Sequence, residues 1–366
     1  MPRPIQATFS AAAWRHNLAV VRRRAPHSRV WAVVKANAYG HGLARAASAL
    51  DHADGFALLD LHEAVRLREL GVTKPILLLE GFFEARDLDG VIAHELWPVV
   101  HCEAQLRMLE EAQPERLSTV FLKINSGMNR LGFTGDAVRT AHARLQALRR
   151  PPQIVLMTHF ADADGPLGVM DQQARFDEWT QGLVCARSLA NSAATLRYPQ
   201  THADWVRPGI ALYGASPFPD EDVVSLGLKP VMTLRSQLIA TQTLRAGEGI
   251  GYGFRYRAAQ TMRIGVVACG YADGYPRHAP AGNDAGAPIL VDGVCTRTIG
   301  RVAMDMLYVD LTSAPQAKVG TTVTLWGDGL PADEVATACG TVSYELFCAL
   351  TQRVPAIELN NLNDLD

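Results

Sequence analysis

From residue 29 to about residue 214 short apolar runs alternate with stretches of helical periodicity, and this alternation limits the fold more than any other feature of the chain. The apolar runs fall at 30–34, 55–59, 75–79, 96–100, 119–124 and 154–158, with a weaker one near 196–201 and a last one at 210–213. Between them apolar residues recur at i, i+3, i+4 spacing over 61–70, 104–112 and 136–148, and over a long stretch at about 170–190. Strand candidates parted this regularly by helices fit a closed parallel (β/α)8 TIM barrel. An open doubly wound α/β sheet is the rival reading, because periodicity does not report whether a parallel sheet closes.

The texture changes near Pro230. Beyond it come alternating β-branched and polar stretches at 237–244, 261–268, 287–291 and 321–326, cut by frequent glycines. We therefore expect a barrel over 10–230 and a C-terminal β-rich domain over 231–366, with the extended start at 1–9 positioned to join the latter. A length of 366 residues with 48% hydrophobic content supports two such cores. A net charge of −2 gives no basic field for nucleic acid. The N-terminus has no secretory apolar region, and no stretch approaches the ~18 apolar residues of a membrane span. Six scattered cysteines without a CxxC pair fit reduced thiols. The expectation is a soluble cytoplasmic protein without nucleic-acid or membrane partners.

In a barrel of this kind functional groups gather at the carboxyl ends of the strands. The segment WAVVKANAYGHG (31–42) runs an apolar strand into Lys35 and then into a small-residue segment holding Asn37 and Tyr39. An amine at a buried strand end is partly desolvated. That favours its neutral form, the nucleophile for a Schiff base. A lysine snorkelling out of a strand end is the plain alternative. Lys123 ends the fifth candidate strand and leads to Arg130, His159 ends the sixth, and Arg207 precedes the eighth. Each alone has a structural explanation; their coincidence at one rim carries the argument. The set suits pyridoxal 5′-phosphate, which asks for an imine-forming lysine, phosphate donors and a group facing the pyridine nitrogen. Backbone N–H groups of Gly209 and Ile210 and the hydroxyls of Ser192 and Tyr39 are candidate phosphate donors.

The chain resembles the alanine racemase family. The resemblance is carried by VKANAYGHG (34–42), KINSGMNRLG (123–132), MTHFAD (157–162), NSAA (191–194), RPGIALYG (207–214), GYG (251–253), GYADGYPR (270–277), GRVAMD (300–305) and YELFCALTQRVP (344–355), all in family order. It covers nearly the whole chain. It implies that Lys35 holds pyridoxal phosphate and acts as one catalytic base, with Tyr252 from the partner subunit of a homodimer as the other. Arg207 would face the pyridine nitrogen, and His159 would link Tyr252 to Arg207. Tyr39, Ser192, Gly209, Ile210 and Tyr344 would bind phosphate. Arg130 would meet the phenolic oxygen of the cofactor and the substrate carboxylate, oriented by a carbamylated Lys123. The backbone at Met304 would touch that carboxylate, and Tyr271 and Arg277 would line the entrance. The implied reaction interconverts L- and D-alanine, the latter a cell-wall precursor, and no metal is called for. Small departures from the family pattern occur at Asn125-Ser126, Leu189 and Ala356.

Physical chemistry is compatible with these roles. Racemisation removes a proton from one face and returns one to the other, which two bases on opposite faces achieve without a swinging group. An arginine at the pyridine nitrogen does not readily give up a proton, so the ring stays a weaker electron sink and side reactions are restrained. Two rivals remain at this stage. A pyridoxal-phosphate amino-acid decarboxylase of the same architecture should place an acidic residue where Arg207 stands. A non-catalytic carrier of the cofactor would need no second domain.

Overall fold

The computed structural model describes residues 3–359, and the chain divides into two compact units. The first comprises residues 15–38 and 42–212, the second residues 3–14, 39–41 and 213–359 of those described.

The first unit is a parallel barrel. Its strands are Arg29–Val33, Gly55–Leu58, Ile76–Leu78, Leu96–Val100, Thr119–Lys123, Gln153–Met157, Ala186–Ser188 and Trp205–Val206. Each is hydrogen-bonded in parallel to the next up to Ala186–Ser188, and Trp205–Val206 pairs back onto Arg29–Val33. The remaining seam is closed by single bonds: Ser188 Oγ donates to Trp205 O at 3.0 Å, Asp204 N–H to Arg187 O at 3.2 Å, and Arg207 N–H to Ala190 O at 2.9 Å. The strands are almost wholly buried, as a sheet covered on both faces requires. Trp31 and Trp205 stack at 4.3 Å inside the barrel, with Trp97 and Phe121 edge-on to Trp31.

The open-sheet alternative is thereby excluded, and the last quarter of the expected barrel is corrected. The helix expected to about residue 190 spans Met170–Thr180 and ends at Gln181-Gly182, where Gly182 takes φ +81°, freeing Ala186–Ser188 as the seventh strand. The weak strand near 196–201 is instead the helix Ser192–Arg197 followed by a 3-10 turn at Pro199–Thr201. Asn191 caps that helix, its side chain accepting from Ala194 N–H. The run at 210–213 is also a 3-10 turn; the eighth strand lies just before it, at Trp205–Val206.

The second unit is built from antiparallel strands. The thirteen-residue strand Met232–Leu244 pairs with Gln6–Ser10 and Thr322–Trp326 through its first half and with Met262–Val267 through its second. A register shift between Leu238 and Ala240 interrupts its pairing with Met262–Val267. Leu307–Asp310, Val294–Ile299 and Pro288–Val291 complete the ring back to Thr322–Trp326. Gln6–Ser10 carries Ala356–Leu359 on its other edge in parallel.

Candidate active site

Lys35 follows the first barrel strand directly. Val34, between them, still donates to Ala57 O at 2.8 Å, so the strand's ladder extends to the residue before the lysine. The chain then does something rare. Ala36, Asn37, Ala38 and Tyr39 all take φ between +51° and +55°, a left-handed turn built without glycine. Such a backbone costs L-residues roughly 1–2 kcal/mol each, least at asparagine. It is held by Ala38 N–H to Val34 O, by Gly42 N–H to Asn37 O, by Leu43 N–H to Asn37 Oδ1 at 2.9 Å and by Asn37 N–H to Glu63 Oε1 at 3.0 Å. Gly40, which closes the turn at φ +76°, lies so close to Phe347 O that an added Cβ would fall 2.1 Å away.

Cations crowd the same end of the barrel. Lys123 closes the fifth strand, and its 6% exposure deprives the ammonium of water. Burial first, then the charges of Arg207, Arg130 and Lys35, push its pKa down to about 7, against the opposing pull of Glu80. Arg130 sits on the loop after this strand. That loop returns at Phe133, whose N–H bonds Lys123 O at 2.9 Å, while Asn125 Oδ1 takes the N–H of Asn129 at 2.8 Å. Lys123, Asn125, Arg130, Thr158 and His159 line a narrow cleft.

Arg207 follows the last strand and is 3% exposed. Among the described residues no carboxylate pairs with it. Its Nη1 donates to Ser188 O and Ser188 Oγ, both at 2.7 Å, and its Nη2 to Thr158 O at 2.5 Å and Leu189 O at 3.1 Å. Burial pushes the guanidinium down to about 9, leaving it protonated at neutral pH, and these acceptors favour the charged form. Nη2 also lies 3.5 Å from His159 Nδ1. Arginine can only donate, so Nδ1 must be the acceptor and the ring proton must sit on Nε2. Burial, then Arg207 and Lys123, hold His159 well below its ordinary pKa, so the ring is neutral. The bonds of Arg207 use both Nη atoms and leave Nε–H out.

Ser192 Oγ receives the N–H groups of Gly209 at 2.8 Å and Ala211 at 3.3 Å, with Ile210 between them in the chain. One hydroxyl and a run of backbone N–H groups thus converge, the donor set that suits a phosphate.

The second unit carries the other expected residues. Tyr39 is buried and packs against Tyr213 at 4.6 Å and Tyr344 at 5.8 Å. Burial, then Tyr344 and Cys348, push its phenol well up, so it stays a hydrogen-bond donor. Tyr271 is bound to the 303–304 backbone: its N–H meets Ala303 O, and Ala272 N–H meets Met304 O at 3.0 Å. Arg277 lies over the Tyr271 ring at 5.9 Å. Asp273, fully buried, accepts Gly270 N–H and pairs with Arg3 at 2.7 Å and Arg353 at 3.0 Å, while Arg353 reaches Asp305. Tyr252 stands on a short turn, 71% exposed, near Phe254 at 58%.

The structure therefore brings Lys35, Lys123, Arg130, His159 and Arg207 into one electrostatic cluster, gathers Ser192 with Gly209 and Ala211 on either side of Ile210, and joins residues 271–272 to the backbone at Ala303 and Met304 and Tyr271 to Arg277. Among the described residues of its own unit, no hydrogen bond or ring contact joins Tyr252 to Tyr271, Arg277 or Met304. Sequence reading missed Glu63, Glu80, Asp273 and the carbonyls that hold Arg207. Only Glu63 had a usable signal, three residues after the capping Asp60.

Two family models match the chain: "Alanine racemase, N-terminal domain" over residues 9–217 and "Alanine racemase, C-terminal domain" over residues 231–358. The chain belongs to the alanine racemase family. It is 59% identical to an alanine racemase of Ralstonia nicotianae over 97% of this chain and 95% of that one. It is 55% identical to a catabolic alanine racemase of Klebsiella aerogenes over 98% of this chain and 100% of that one. Among solved structures it is similar to the biosynthetic alanine racemase of Pseudomonas aeruginosa, with a TM-score of 0.94, 47% identity and coverage of 98% and 100%.

Proposed function

We propose that the chain interconverts L- and D-alanine with two bases, Lys35 and Tyr252, and that pyridoxal phosphate is its cofactor. The observation that carries the reading is the pairing of an amine at the end of the first barrel strand with a buried, carboxylate-free arginine after the last. The donor set fits the cofactor. Ser192, Gly209 and Ile210, together with Tyr39 and Tyr344, would hold its phosphate, Lys35 its aldehyde carbon, Arg130 its phenolic oxygen, and the spare Nε–H of Arg207 its ring nitrogen. When bound, the cofactor supplies an electron-withdrawing ring that makes the α-C–H bond of an amino acid acidic.

Lys35 Nζ and Tyr252 Oη would then work from opposite faces, one taking the proton and the other returning one. Arg207 gives the ring nitrogen a hydrogen bond without surrendering its proton, which restrains side reactions. His159, neutral with its proton on Nε2, can donate to the Tyr252 oxygen and stabilise the phenolate form. Arg130 would take the substrate carboxylate, with the Met304 backbone, while Tyr271 and Arg277 would screen the approach by size and charge.

Lys123 supports a further step. An amine with a pKa of about 7 is substantially neutral at physiological pH. Neutral amine nitrogen adds to carbon dioxide, forming an N–C bond and releasing one proton, and the carbamate is an anion beside Arg130. The exposure of Tyr252 and of its neighbour Phe254 supports a homodimer, in which a second copy would cover them. Among the described residues no helix is long and apolar enough to cross a membrane. All six cysteines are free thiols, which supports a cytoplasmic location.

The test is direct. Purified protein with L-alanine should lose optical rotation without releasing carbon dioxide. Release would identify a decarboxylase, and no change a carrier. Borohydride should abolish the visible cofactor band and leave its label on Lys35; a label on another lysine would overturn the assignment.

A further inference from the structure

The left-handed turn after Lys35 must be over-determined to persist, because three of its members are alanine or tyrosine and gain nothing from that backbone. Most of its bonds are local, running within residues 34–43. Its far end, Tyr39–His41, belongs to the second unit and is fixed there by Tyr213, Tyr344 and Phe347. Inside the barrel unit the bond from Asn37 N–H to Glu63 Oε1, at 3.0 Å, ties the turn to a different element.

That element is a capped, packed helix. Glu63 lies in the first turn of the helix Leu61–Glu69, which buries Ala64 and Leu67 and is capped by Asp60, whose side chain accepts from His62 N–H and Glu63 N–H. A glutamate at this spacing commonly folds back onto the N–H of the capping residue. Here it is spent on Asn37 instead. The bond is charge-assisted, lies exposed to solvent, and acts where the turn would otherwise relax toward right-handed geometry.

We infer that Glu63 is a positioning residue for Lys35: its carboxylate latches the Asn37 amide, keeps the left-handed turn wound, and so fixes the direction in which Lys35 leaves its strand. The inference rests on the reading of Lys35 as the cofactor lysine. Glycine enters left-handed geometry at no steric cost. The latch should therefore become dispensable when Ala36, which is exposed, is replaced by glycine.

The experiment compares Glu63→Ala, Glu63→Gln and the pair Ala36→Gly/Glu63→Ala with the unaltered protein, each loaded with pyridoxal phosphate. Three quantities are read: hydrogen exchange at the Asn37 amide, the dissociation rate of pyridoxal phosphate, and kcat and KM separately. Glu63→Ala should speed exchange and cofactor release at least tenfold and lower kcat about tenfold, with KM changed less than twofold. Glu63→Gln, which keeps an acceptor oxygen, should stay within threefold of the unaltered protein. Ala36→Gly should return most of what Glu63→Ala loses. Wild-type exchange and release in Glu63→Ala, or a defect that Ala36→Gly leaves untouched, would overturn the latch. If Glu63→Ala is insoluble, recovery of loaded protein in the pair is the same positive result, and an insoluble pair is the same negative one. Borohydride labelling of the unaltered protein separates the two layers. A label away from Lys35 removes the site reading while Asn37 exchange still decides the latch; a label on Lys35 with a silent Glu63→Ala removes the latch alone.

Discussion

Replacing Lys123 by methionine should stabilise this protein at low pH. The ammonium is almost fully buried, and its pKa falls from 10.5 to about 7 in the folded chain. One pKa unit is worth about 1.4 kcal/mol, so carrying the proton inside costs about 3–5 kcal/mol at or below pH 7. The unfolded chain keeps its proton up to its ordinary pKa and the folded one sheds it near 7. The penalty is therefore complete below pH 7 and is relieved as pH rises toward 10. Methionine keeps the length of the side chain without the charge. In urea unfolding under carbon-dioxide-free conditions, Lys123→Met should exceed the unaltered protein by about 4–5 kcal/mol at pH 6. The gap should close by about 1.4 kcal/mol per pH unit above 7 and vanish near pH 10. Added bicarbonate should stabilise the lysine protein alone, since ligation to the folded state adds RT ln(1 + [L]/Kd). A variant no more stable at pH 6, or a gap independent of pH, would show that Lys123 carries its charge without penalty and would refute the electrostatic account of the rim.

Three further outcomes are expected. Tyr252→Phe should lower turnover by about 100-fold or more in both directions, the scale of a lost acid–base group, with the cofactor band unchanged; equal rates in both directions to the unaltered protein would remove Tyr252 from the mechanism. Arg207→Lys should lose about 2–4 kcal/mol in chemical denaturation, because an ammonium cannot reproduce the planar fork that reaches Ser188, Thr158 and Leu189. Asp273→Asn should lower stability by about 1–3 kcal/mol by stripping charge from between Arg3 and Arg353. It should also raise KM for alanine by loosening the 270–274 and 303–305 segments that carry Tyr271 and Met304, whereas an unchanged KM would confine Asp273 to stability.

The barrel was legible in the sequence where its strands are long and wholly apolar. The strand Leu96–Val100 falls where its pattern does, and five others fall within about a residue of theirs at each end. The pattern failed where strands are short. Ala186–Ser188 and Trp205–Val206 have three and two residues and include arginine and serine, too little to register as an apolar run. The run at 210–213 is a fully buried 3-10 turn, and burial alone does not distinguish a turn from a strand. Likewise Lys35, Lys123, His159 and Arg207 could be read from their positions at strand ends, whereas Glu80 acts through a field that no linear spacing encodes, and the spacing of Glu63 from Asp60 marks a helix start without announcing its bond to Asn37. The left-handed turn was invisible for the same reason: alanine, asparagine and tyrosine do not announce a conformation that only tertiary bonds impose.

The two roles of Arg207 cannot be separated. Its backbone N–H and its guanidinium both cross the seam that the last two strands leave open, so the residue closing the barrel is also the one we propose to face the ring nitrogen. A carboxylate at that position would find three backbone carbonyls pointing at it and no donor to meet them, an arrangement as costly as an unpaired buried charge. Exchanging arginine for an acid, the change that would turn the ring into a stronger electron sink, therefore also opens the barrel at its weakest joint. On that proposal the bonds that hold the fold shut would also restrain the chemistry.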